Sequence, residues 1–380
     1  MSEARIGRIS NENSTAGPII SGITTFSGQN YFVPPKGTTA ERPSNCPVGS
    51  IRFNTDSAKL EYFDGLQWLE MEAFNNELGG GTGSNTGLGN RGLIGGGYTP
   101  ADVDTIDFVT ISTLGNATDF GDLTDGRRAL ASCSSSTRGL WGGGFSPGNV
   151  NTIDYVTIAS TSNATDFGDL TSARHHTNAC SSSTRGIFAG GVAPSTPLND
   201  IDYVTIASTG NAVDFGDLLA TARSTMTCSS SVRGVWSGGY NAPVSSNTIE
   251  YVTISTTGNS VDFGDLTVAR TIGAGLSNST RGLFGGSLAS YPSYSNVIDF
   301  ITIATTGNAQ DFGDMAAGIN AAQAGFASST RGIFAGGYNP GIHNIIEFVT
   351  IATTGNGTDF GDLTQARSYV GGLSNGHGGL

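Results

Sequence analysis

Hydrophobic and polar positions alternate in a short segment that recurs along most of the chain. Residues 152–158 read Thr-Ile-Asp-Tyr-Val-Thr-Ile, an alternation of β-branched and aromatic residues that is typical of a β-strand. Each copy is accompanied by three further strand-like segments, and we call the four segments A, B, C and D in chain order. Segment B ends in a glycine pair and segment D contains Asp-Phe-Gly-Asp. Because no helical period of useful length occurs in these units, the pattern predicts an all-β fold.

The four segments return with a nearly constant period. The dipeptide Arg-Gly occurs at Arg91, Arg138, Arg185, Arg233, Arg281 and Arg331, at intervals of 47, 47, 48, 48 and 50 residues. The tetrapeptide Asp-Phe-Gly-Asp begins at Asp119, Asp166, Asp214, Asp262, Asp311 and Asp359. A repeat of about 40 to 50 residues with four strands is typical of a β-propeller blade. Six units therefore predict a six-bladed β-propeller over residues 91–380.

The last residues of the chain predict how this propeller closes. Leu373, Ser374 and Asn375 match an A segment, but no full B segment follows them. We expect this A segment to pair with segment B of the first unit, residues 92–97. Such pairing would remove the exposed sheet edges and close the propeller with a C-terminal strand.

The units resemble the kelch family of propellers. The residues that carry the resemblance are the double glycine Gly190-Gly191, an aromatic on segment C (Tyr203) and an aromatic on segment D (Phe215). The tryptophan usual in the fourth kelch strand is replaced by phenylalanine in every unit. The replaced positions are Phe120, Phe167, Phe215, Phe263, Phe312 and Phe360. The resemblance implies a divergent, kelch-like propeller in about three quarters of the chain.

Residues 1–77 contain no copy of the repeat and hold both lysines, Lys36 and Lys59. Their sequence predicts short strands with turns at residues 54–57 and 64–65. A sheet this small needs another surface to pack against, so we predict a small β-rich attachment module. Residues 78–90 are rich in glycine and predict a flexible linker to the propeller at 91–380.

The N-terminal segment resembles modules found in structural proteins of tailed phages, particularly those of marine cyanobacterial hosts. The pattern that carries this resemblance runs from Gly-Ser-Ile-Arg-Phe-Asn-Thr-Asp to Leu-Glu-Tyr-Phe-Asp-Gly and Trp68. It implies a virion protein on the tail or particle surface. It also implies attachment to other virion structural proteins through the N-terminal module, with multiple copies per virion.

Charge limits the classes of partner. The formal net charge is −13, which disfavours nucleic acid and anionic membranes, because both bind basic patches. No run approaches 18 apolar residues, so we expect no membrane insertion. The N-terminal residues lack the apolar region of a signal peptide.

The residues that could be catalytic or metal-binding are explained better as structural features. The six Asp-Phe-Gly-Asp copies could form a ring of metal-binding or catalytic carboxylates. Their presence in every unit instead favours a strand-ending turn whose aspartates accept backbone N–H bonds. Cys133, Cys180 and Cys228 occupy an apolar repeat position on segment A. His175 and His176 are adjacent, and adjacent residues on a strand seldom chelate one metal. We therefore expect no catalytic residue, no metal and no cofactor.

The remaining arginines are also periodic. Five are assigned to one repeat position, which predicts a scaffold role through pairing with the periodic aspartates. These residues are Arg127, Arg174, Arg223, Arg270 and Arg367.

Partner binding is predicted on one face of the propeller. The A–B and C–D turns are nearly uniform, whereas the B–C loops differ in length and content. Variable loops on a fixed scaffold often carry binding, although drift alone also produces them. Exposed aromatics on a polar surface suit carbohydrate or protein contact. The candidate partner-binding face comprises Tyr98, Phe145, Arg128, His175, His176, Tyr240, Tyr291, Tyr294 and Tyr338.

These observations predict a non-enzymatic virion protein that acts as a fibre or adhesin and binds a host cell-surface glycan or protein. The alternative is a head or tail decoration or connector that binds only other virion proteins. A propeller enzyme is disfavoured, because repeated, near-identical residues replace the unique acid–base cluster that catalysis needs.

Overall fold

A computed structural model of the 380-residue chain describes residues 34–57, 59–70, 90–241, 243–290, 293–316 and 323–380. The chain divides into two compact units, Met1–Asn75 and Asn76–Leu380. All the regular structure in the described residues is β-strand apart from one 3₁₀ turn. Those residues contain no helix long and apolar enough to cross a membrane. The predicted linker lies almost entirely outside them, so its boundaries remain a prediction.

The first unit contains one four-stranded sheet, in which the first two strands are parallel and the others antiparallel. A 3₁₀ turn, Thr39–Glu41, lies between the first and second strands. The strands are β1 (Lys36–Gly37), β2 (Ile51–Asn54), β3 (Lys59–Phe63) and β4 (Trp68–Glu70). The predicted turns therefore lie where the sequence placed them, between β2 and β3 and between β3 and β4.

This sheet buries its polar face. Arg52 and Asn54 on β2 lie beside Glu61 on β3, and all three are buried. Asn54 donates to Glu61 at 2.6 Å, and Arg42 forms an ion pair with the same carboxylate. Because the side chains of a strand alternate between faces, the apolar residues next to these positions, such as Ile51, project from the opposite side. The exposed apolar residues of this unit include Val48, Ile51, Leu60, Tyr62 and Leu66.

The second unit is built from six four-stranded antiparallel sheets and two short hairpin extensions. Its strands in chain order are β5 (Arg91–Gly95), β6 (Thr105–Thr110), β7 (Thr118–Asp122), β8 (Ala131–Ser134), β9 (Arg138–Gly142), β10 (Thr152–Thr157), β11 (Thr165–Asp169), β12 (Asn178–Ser181), β13 (Arg185–Ala189), β14 (Val192–Ala193), β15 (Thr196–Pro197), β16 (Asp200–Thr205), β17 (Val213–Asp217), β18 (Met226–Ser229), β19 (Arg233–Ser237), β20 (Tyr240–Asn241), β21 (Val244–Ser245), β22 (Thr248–Thr253), β23 (Val261–Asp265), β24 (Ala274–Ser277), β25 (Arg281–Ser290), β26 (Ser293–Thr302), β27 (Gln310–Asp314), β28 (Ala324–Ala327), β29 (Arg331–Ala335), β30 (Ile345–Thr350), β31 (Thr358–Asp362) and β32 (Gly371–Ser374).

Each sheet contains one strand from each of the predicted segments A to D. Sheet 1 takes its A strand from the end of the chain, in the order β32-β5-β6-β7. Within it Leu373 pairs with Leu93 and Ser374 with Gly92. The predicted pairing of the last segment with residues near 92–97 is therefore found. Sheets 2 to 6 have the orders β8-β9-β10-β11, β12-β13-β16-β17, β18-β19-β22-β23, β24-β25-β26-β27 and β28-β29-β30-β31.

The hydrophobic core lies between neighbouring sheets. In one cluster Leu140 and Phe167 of sheet 2 contact Phe188 and Val204 of sheet 3. The aromatics on strands C and D of one sheet meet edge to face, as Tyr155 and Phe167 do at 5.8 Å between ring centroids. Burial of such residues on both faces of strands B and C provides the main apolar stabilisation of the unit.

The Asp-Phe-Gly-Asp motif belongs to strand D and does not form the predicted turn. Its glycine adopts a positive φ, as at Gly168 (φ 143°), and approaches the C–D turn of the next sheet. A Cβ at Gly168 would lie 2.5 Å from the carbonyl oxygen of Gly210. The Asp169 N–H donates to Asn211 Oδ1 at 3.1 Å, so the motif joins sheets through its backbone. The same contact links sheet 6 to sheet 1, where the Asp362 N–H donates to Asn116 Oδ1.

Candidate functional site

The six A strands lie side by side around a cavity of about 90 Å³. Each A strand contacts the next one along the chain, and β32 contacts β8. Small residues permit this approach: a Cβ at Gly275 would lie 2.2 Å from the Thr227 carbonyl oxygen. Serine and threonine hydroxyls bridge neighbouring A strands, as when Ser181 Oγ donates to the Ser134 carbonyl at 2.7 Å. We call this space the channel.

The cysteines belong to the walls of this channel. Cys133, Cys180 and Cys228 are buried and unpaired. Burial raises the pKa of each thiol, so each is protonated near neutral pH. The prediction that they are small apolar side chains on strand A is confirmed by their places in the core clusters.

The last residues of the chain occupy the channel end beside the A–B turns. His377 Nε2 lies 2.9 Å from the Ser134 carbonyl oxygen and 3.3 Å from Ser181 Oγ. The Gly379 N–H donates to His377 Nδ1, and the Gly378 N–H donates to the Ser277 carbonyl. Burial lowers the pKa of His377 to about 4, which keeps the imidazole neutral at physiological pH.

At the other end of the channel, the residue two places before strand A adopts a positive φ. This conformation is uncommon for residues other than glycine and costs about 1 kcal/mol or more. Backbone hydrogen bonds between equivalent residues offset the cost: the His176 N–H donates to the Ala129 carbonyl at 2.8 Å, and the Ser224 N–H to the His176 carbonyl at 2.9 Å. The residues that share the conformation, which we call the collar, are Ala129, His176, Ser224, Ile272 and Tyr369.

The collar combines a uniform backbone with five different side chains. Together they line a second cavity of about 50 Å³ that opens at this end of the channel. The collar holds an alanine, a histidine, a serine, an isoleucine and a tyrosine at one structural position. The backbone is therefore a scaffold that presents five different side chains from five of the six sheets.

Arg128 lies beside the collar, between two aromatic rings. Its guanidinium is 4.8 Å from the ring centroid of Tyr98 and 4.8 Å from that of Phe145. Nη1 also pairs with Asp102 Oδ1 at 2.7 Å. Two stacking partners and an ion pair hold this partly exposed arginine in one place.

The aromatic contacts continue from Arg128 through two histidines to Tyr369, the collar residue whose carbonyl accepts the Ala129 N–H. Phe145 meets His175 edge to face at 5.5 Å, His175 lies 4.9 Å from His176, and His176 meets Tyr369 at 5.5 Å. Burial and then the charges of Arg223 and Arg128 lower the pKa of His175. Burial lowers the pKa of His176 to about 3, with smaller contributions from His175 and the same two arginines. Both imidazoles are therefore neutral at physiological pH.

Arg223 is not a member of the buried arginine set, so its sequence assignment is wrong by one position. Its guanidinium lies 4.9 Å from the ring centroid of Tyr240, at the place equivalent to Arg128. Ala222 occupies the buried position in this sheet. No ion pair joins Arg223 to a carboxylate anywhere in the described residues.

The other four arginines pair with buried aspartates on strand C, which confirms the predicted scaffold role for these positions. Arg174 Nη2, for example, lies 2.8 Å from Asp202 Oδ2, and both side chains are fully buried. The pairs are Arg127–Asp154, Arg174–Asp202, Arg270–Asp299 and Arg367–Asp107.

The B–C connections and the segments before strand A lie on the same face, as expected. Arg128 and Phe145 bridge through their backbones, as do Arg223 and Tyr240. Tyr294 and Tyr338 lie 6.4 Å apart, whereas Tyr291 lies outside the described residues. The other loop aromatics are half-buried beneath arginines and less open than expected, and Tyr338 at 39 % is the most exposed of those described.

Sequence reasoning missed part of this site. Ser224, Ile272 and Tyr369 border the same cavity but precede strand A instead of lying in the variable B–C loops, and Arg223 directly precedes Ser224. The available signal was the divergence of the residue two places before each A strand. Within the described residues, no group of three or more His, Cys, Asp or Glu side chains is placed to hold a metal ion.

Comparison with known proteins gives the fold alone. No protein-family model matches the chain, and no curated protein matches its sequence. Among solved structures, the one titled "Structure of YjhT" is similar, with a TM-score of 0.56 and 11 % sequence identity. The similarity covers 65 % of this chain and 87 % of that one. The chain is thus an all-β protein of four-stranded antiparallel sheets with a β-propeller-like fold.

Proposed function

We propose that the second unit is a six-bladed, kelch-like β-propeller closed by its C-terminal strand. Six four-stranded sheets, the pairing of β32 with β5, and the contact of sheet 6 with sheet 1 support this architecture. The repeat length and the double glycines support the kelch-like assignment.

The propeller serves as a non-enzymatic binding module that presents the collar and its surrounding arginines and aromatics to a partner. We call this surface, which includes the B–C connections, the collar face. The single observation that carries this function is the collar, where one strained backbone position holds five different side chains in five of the six sheets. A purely architectural repeat gains nothing from such variation, whereas strain and side-chain diversity are common at binding sites.

The partner is a glycan or protein on the surface of a host cell, and the chain is a tail fibre, adhesin or surface protein of a phage virion. The virion assignment rests on the resemblance of residues 24–68 to phage structural modules. The exposed apolar face of the first unit suits attachment to another virion protein, because single small sheets seldom leave such a face uncovered. Multiple copies per virion would convert weak single contacts into firm adhesion.

Cell binding tests this function directly. The purified chain, fluorescently labelled, is incubated with marine cyanobacterial cells, and bound fluorescence is measured as a function of concentration. Paired substitutions on the collar face, Tyr240→Ala with Tyr338→Ala, should reduce binding. Val232→Ala, an exposed change in an A–B turn on the opposite face, should not.

The alternative, a decoration or connector within the virion, predicts a different result. In a virion reconstruction the collar face would then be buried against other virion proteins, and the labelled chain would bind no cells. A collar face that points outward, together with saturable cell binding, supports adhesion.

A further inference from the structure

We propose that the collar face binds a carboxylate-bearing sugar of an acidic glycan, held by Arg223 and Arg128. This inference rests on the proposed glycan-binding function and names its ligand class. It is argued from the placement of charge, the preorganisation of the two arginines, and the departure of sheet 4 from the repeat.

Positive charge is concentrated at the collar in an acidic protein. The chain carries a formal charge of −13, but two guanidinium groups, Arg223 and Arg128, act on the neutral His176 of the collar. Among the described residues, the one carboxylate that pairs with either guanidinium is Asp102, which pairs with Arg128. A cationic site on an otherwise anionic chain attracts anionic ligands.

The two arginines are held ready for a planar anion. Arg128 lies between the rings of Tyr98 and Phe145, and Arg223 lies against Tyr240. Stacking fixes the plane of a guanidinium and leaves its edge N–H groups for a bidentate carboxylate. Arg128 uses one nitrogen for Asp102, whereas no described carboxylate pairs with Arg223. Arg223 is therefore the stronger candidate for direct ligand contact.

Sheet 4 departs from the repeat at the position where Arg223 arises. Four sheets bury an arginine against a strand-C aspartate, but here Ala222 takes the buried position and Arg223 reaches the collar face. Strand C carries Glu250 in place of aspartate, with Ser260 and the Leu219 N–H as its hydrogen-bond donors. Sheet 6 also carries a glutamate at this place, Glu347, which accepts the Ala316 N–H. The scaffold ion pair is thus absent from the sheet that supplies the unpaired arginine.

Neutral polar and aromatic groups near the arginines are suited to contact the uncharged part of a sugar. His175 Nδ1 is buried without a hydrogen-bond partner, and Gln323 Oε1, whose side chain lines both cavities, is likewise unpartnered. Tyr369 and His176 border the mouth of the channel and offer ring faces to apolar sugar surfaces. An acidic sugar could therefore bind the arginines through its carboxylate and the neutral side chains through its hydroxyl groups.

Titration calorimetry with the full chain tests the proposal. The probes are a galacturonate oligosaccharide, a neutral glucose oligosaccharide of equal length, and a glutamate peptide of equal charge. We expect the carboxylated sugar to bind and the neutral sugar to bind far more weakly. Arg223→Gln should weaken binding about ten- to hundredfold, the loss expected for hydrogen bonds to a charged group.

Matched variants separate charge from geometry. Lys36→Gln removes the same charge from an exposed residue of the first unit and should leave affinity unchanged. Arg223→Lys keeps the charge but loses the planar fork, and it should weaken binding nearly as much as Arg223→Gln. Circular dichroism of each variant establishes that folding is intact.

Several outcomes would overturn the proposal. Equal affinity for the neutral sugar, with no effect of Arg223→Gln, would retain glycan binding and reject the anionic class. Preference for the glutamate peptide over the sugar would identify an acidic protein segment as the ligand. Binding to no probe, together with no binding to cells, would reject the adhesive function itself.

Discussion

Ser260 Oγ donates a hydrogen bond to Glu250 Oε2 at 2.5 Å, at a place where four other sheets hold a buried Asp–Arg ion pair. Burial raises the pKa of Glu250, and the hydrogen bonds from Ser260 and the Leu219 backbone only partly oppose that rise. The Leu219 N–H corresponds to the backbone donor that the aspartates of other sheets accept, such as the Thr171 N–H for Asp202, so the donor that distinguishes Glu250 is Ser260. Sheet 4 therefore has a hydrogen-bonded carboxylate in place of the ion pair, and sheet 6 likewise carries a buried glutamate, Glu347, which accepts the Ala316 N–H.

Glu250 should lower the stability of the chain as the pH rises. Its folded pKa lies above its unfolded value, so the native state binds more protons and stability falls from about pH 4.5 upward. We expect Glu250→Gln to be more stable than the parent at pH 7, with a difference that shrinks toward pH 4. Urea denaturation at several pH values measures it. Asp359→Asn, at an exposed carboxylate, should show no such trend, and a flat Glu250→Gln difference would contradict the prediction.

Restoring the repeat in sheet 4 should reveal coupling between positions 222 and 250. Ala222→Arg alone places a charge opposite a carboxylate that accepts from Ser260, and Glu250→Asp alone shortens that carboxylate away from Ser260. Both single variants should destabilise the chain, whereas the double variant should recover at least about 1 kcal/mol of the summed loss. A double-mutant cycle by chemical denaturation gives the coupling energy. An additive result would contradict the assignment of Ala222 to the position that holds the buried arginine in other sheets.

Breaking one existing ion pair should be costly. Asp202 accepts from Arg174 and from Thr171 Oγ1, both at 2.8 Å. Asp202→Asn leaves the buried guanidinium without a counter-charge, so we expect a loss of about 3–5 kcal/mol in the free energy of unfolding. Asp214→Asn, an exposed change on the adjacent strand D, should cost less than about 0.5 kcal/mol. Similar losses for the two variants would contradict the scaffold role.

The glycine of strand D should tolerate no side chain. At Gly216 the φ is +147° and a Cβ would lie 2.5 Å from the Gly258 carbonyl oxygen. Gly216→Ala therefore combines backbone strain with a clash between sheets, and we expect a loss above about 2 kcal/mol. Gly148→Ala, where no atom lies within 4 Å of the added Cβ, is the matched control and should be nearly neutral. Thermal denaturation of the two variants measures the difference.

Docking of the last residues into the channel should depend on pH. The folded pKa of His377 is about 4, below the usual histidine value, so the native state binds fewer protons. The stabilisation is complete above about pH 6.5 and is lost as the pH falls toward 4. We expect the protection of the Gly378 and Gly379 amides, measured relative to the intrinsic exchange rate at each pH, to fall over that range. In His377→Gln the fall in protection should be much smaller, and an equal fall in both proteins would contradict the prediction.

Several features of the fold followed from the sequence because they depend on local chemistry repeated many times. Alternation at residues 152–158 predicts strand C, and the glycine pairs predict where strand B ends. The match of residues 373–375 to an A segment predicts the pairing with strand β5. Each of these signals reflects the period of a β-strand or the conformational freedom of glycine, and six copies make the signal plain.

The tertiary structure alone decided the site. A shift of one residue separates Arg223 from the buried set, and the packing shows its consequence, that Ala222 fills the buried place and Arg223 lies against Tyr240. The Asp-Phe-Gly-Asp motif turned out to join sheets through backbone contacts, because its glycine lies against a carbonyl of the next sheet. The collar gathers residues about 47 positions apart through hydrogen bonds between sheets, and no local pattern records such long-range contacts. Sequence determined the repeated unit; the packing of one unit on the next determined what the units present together.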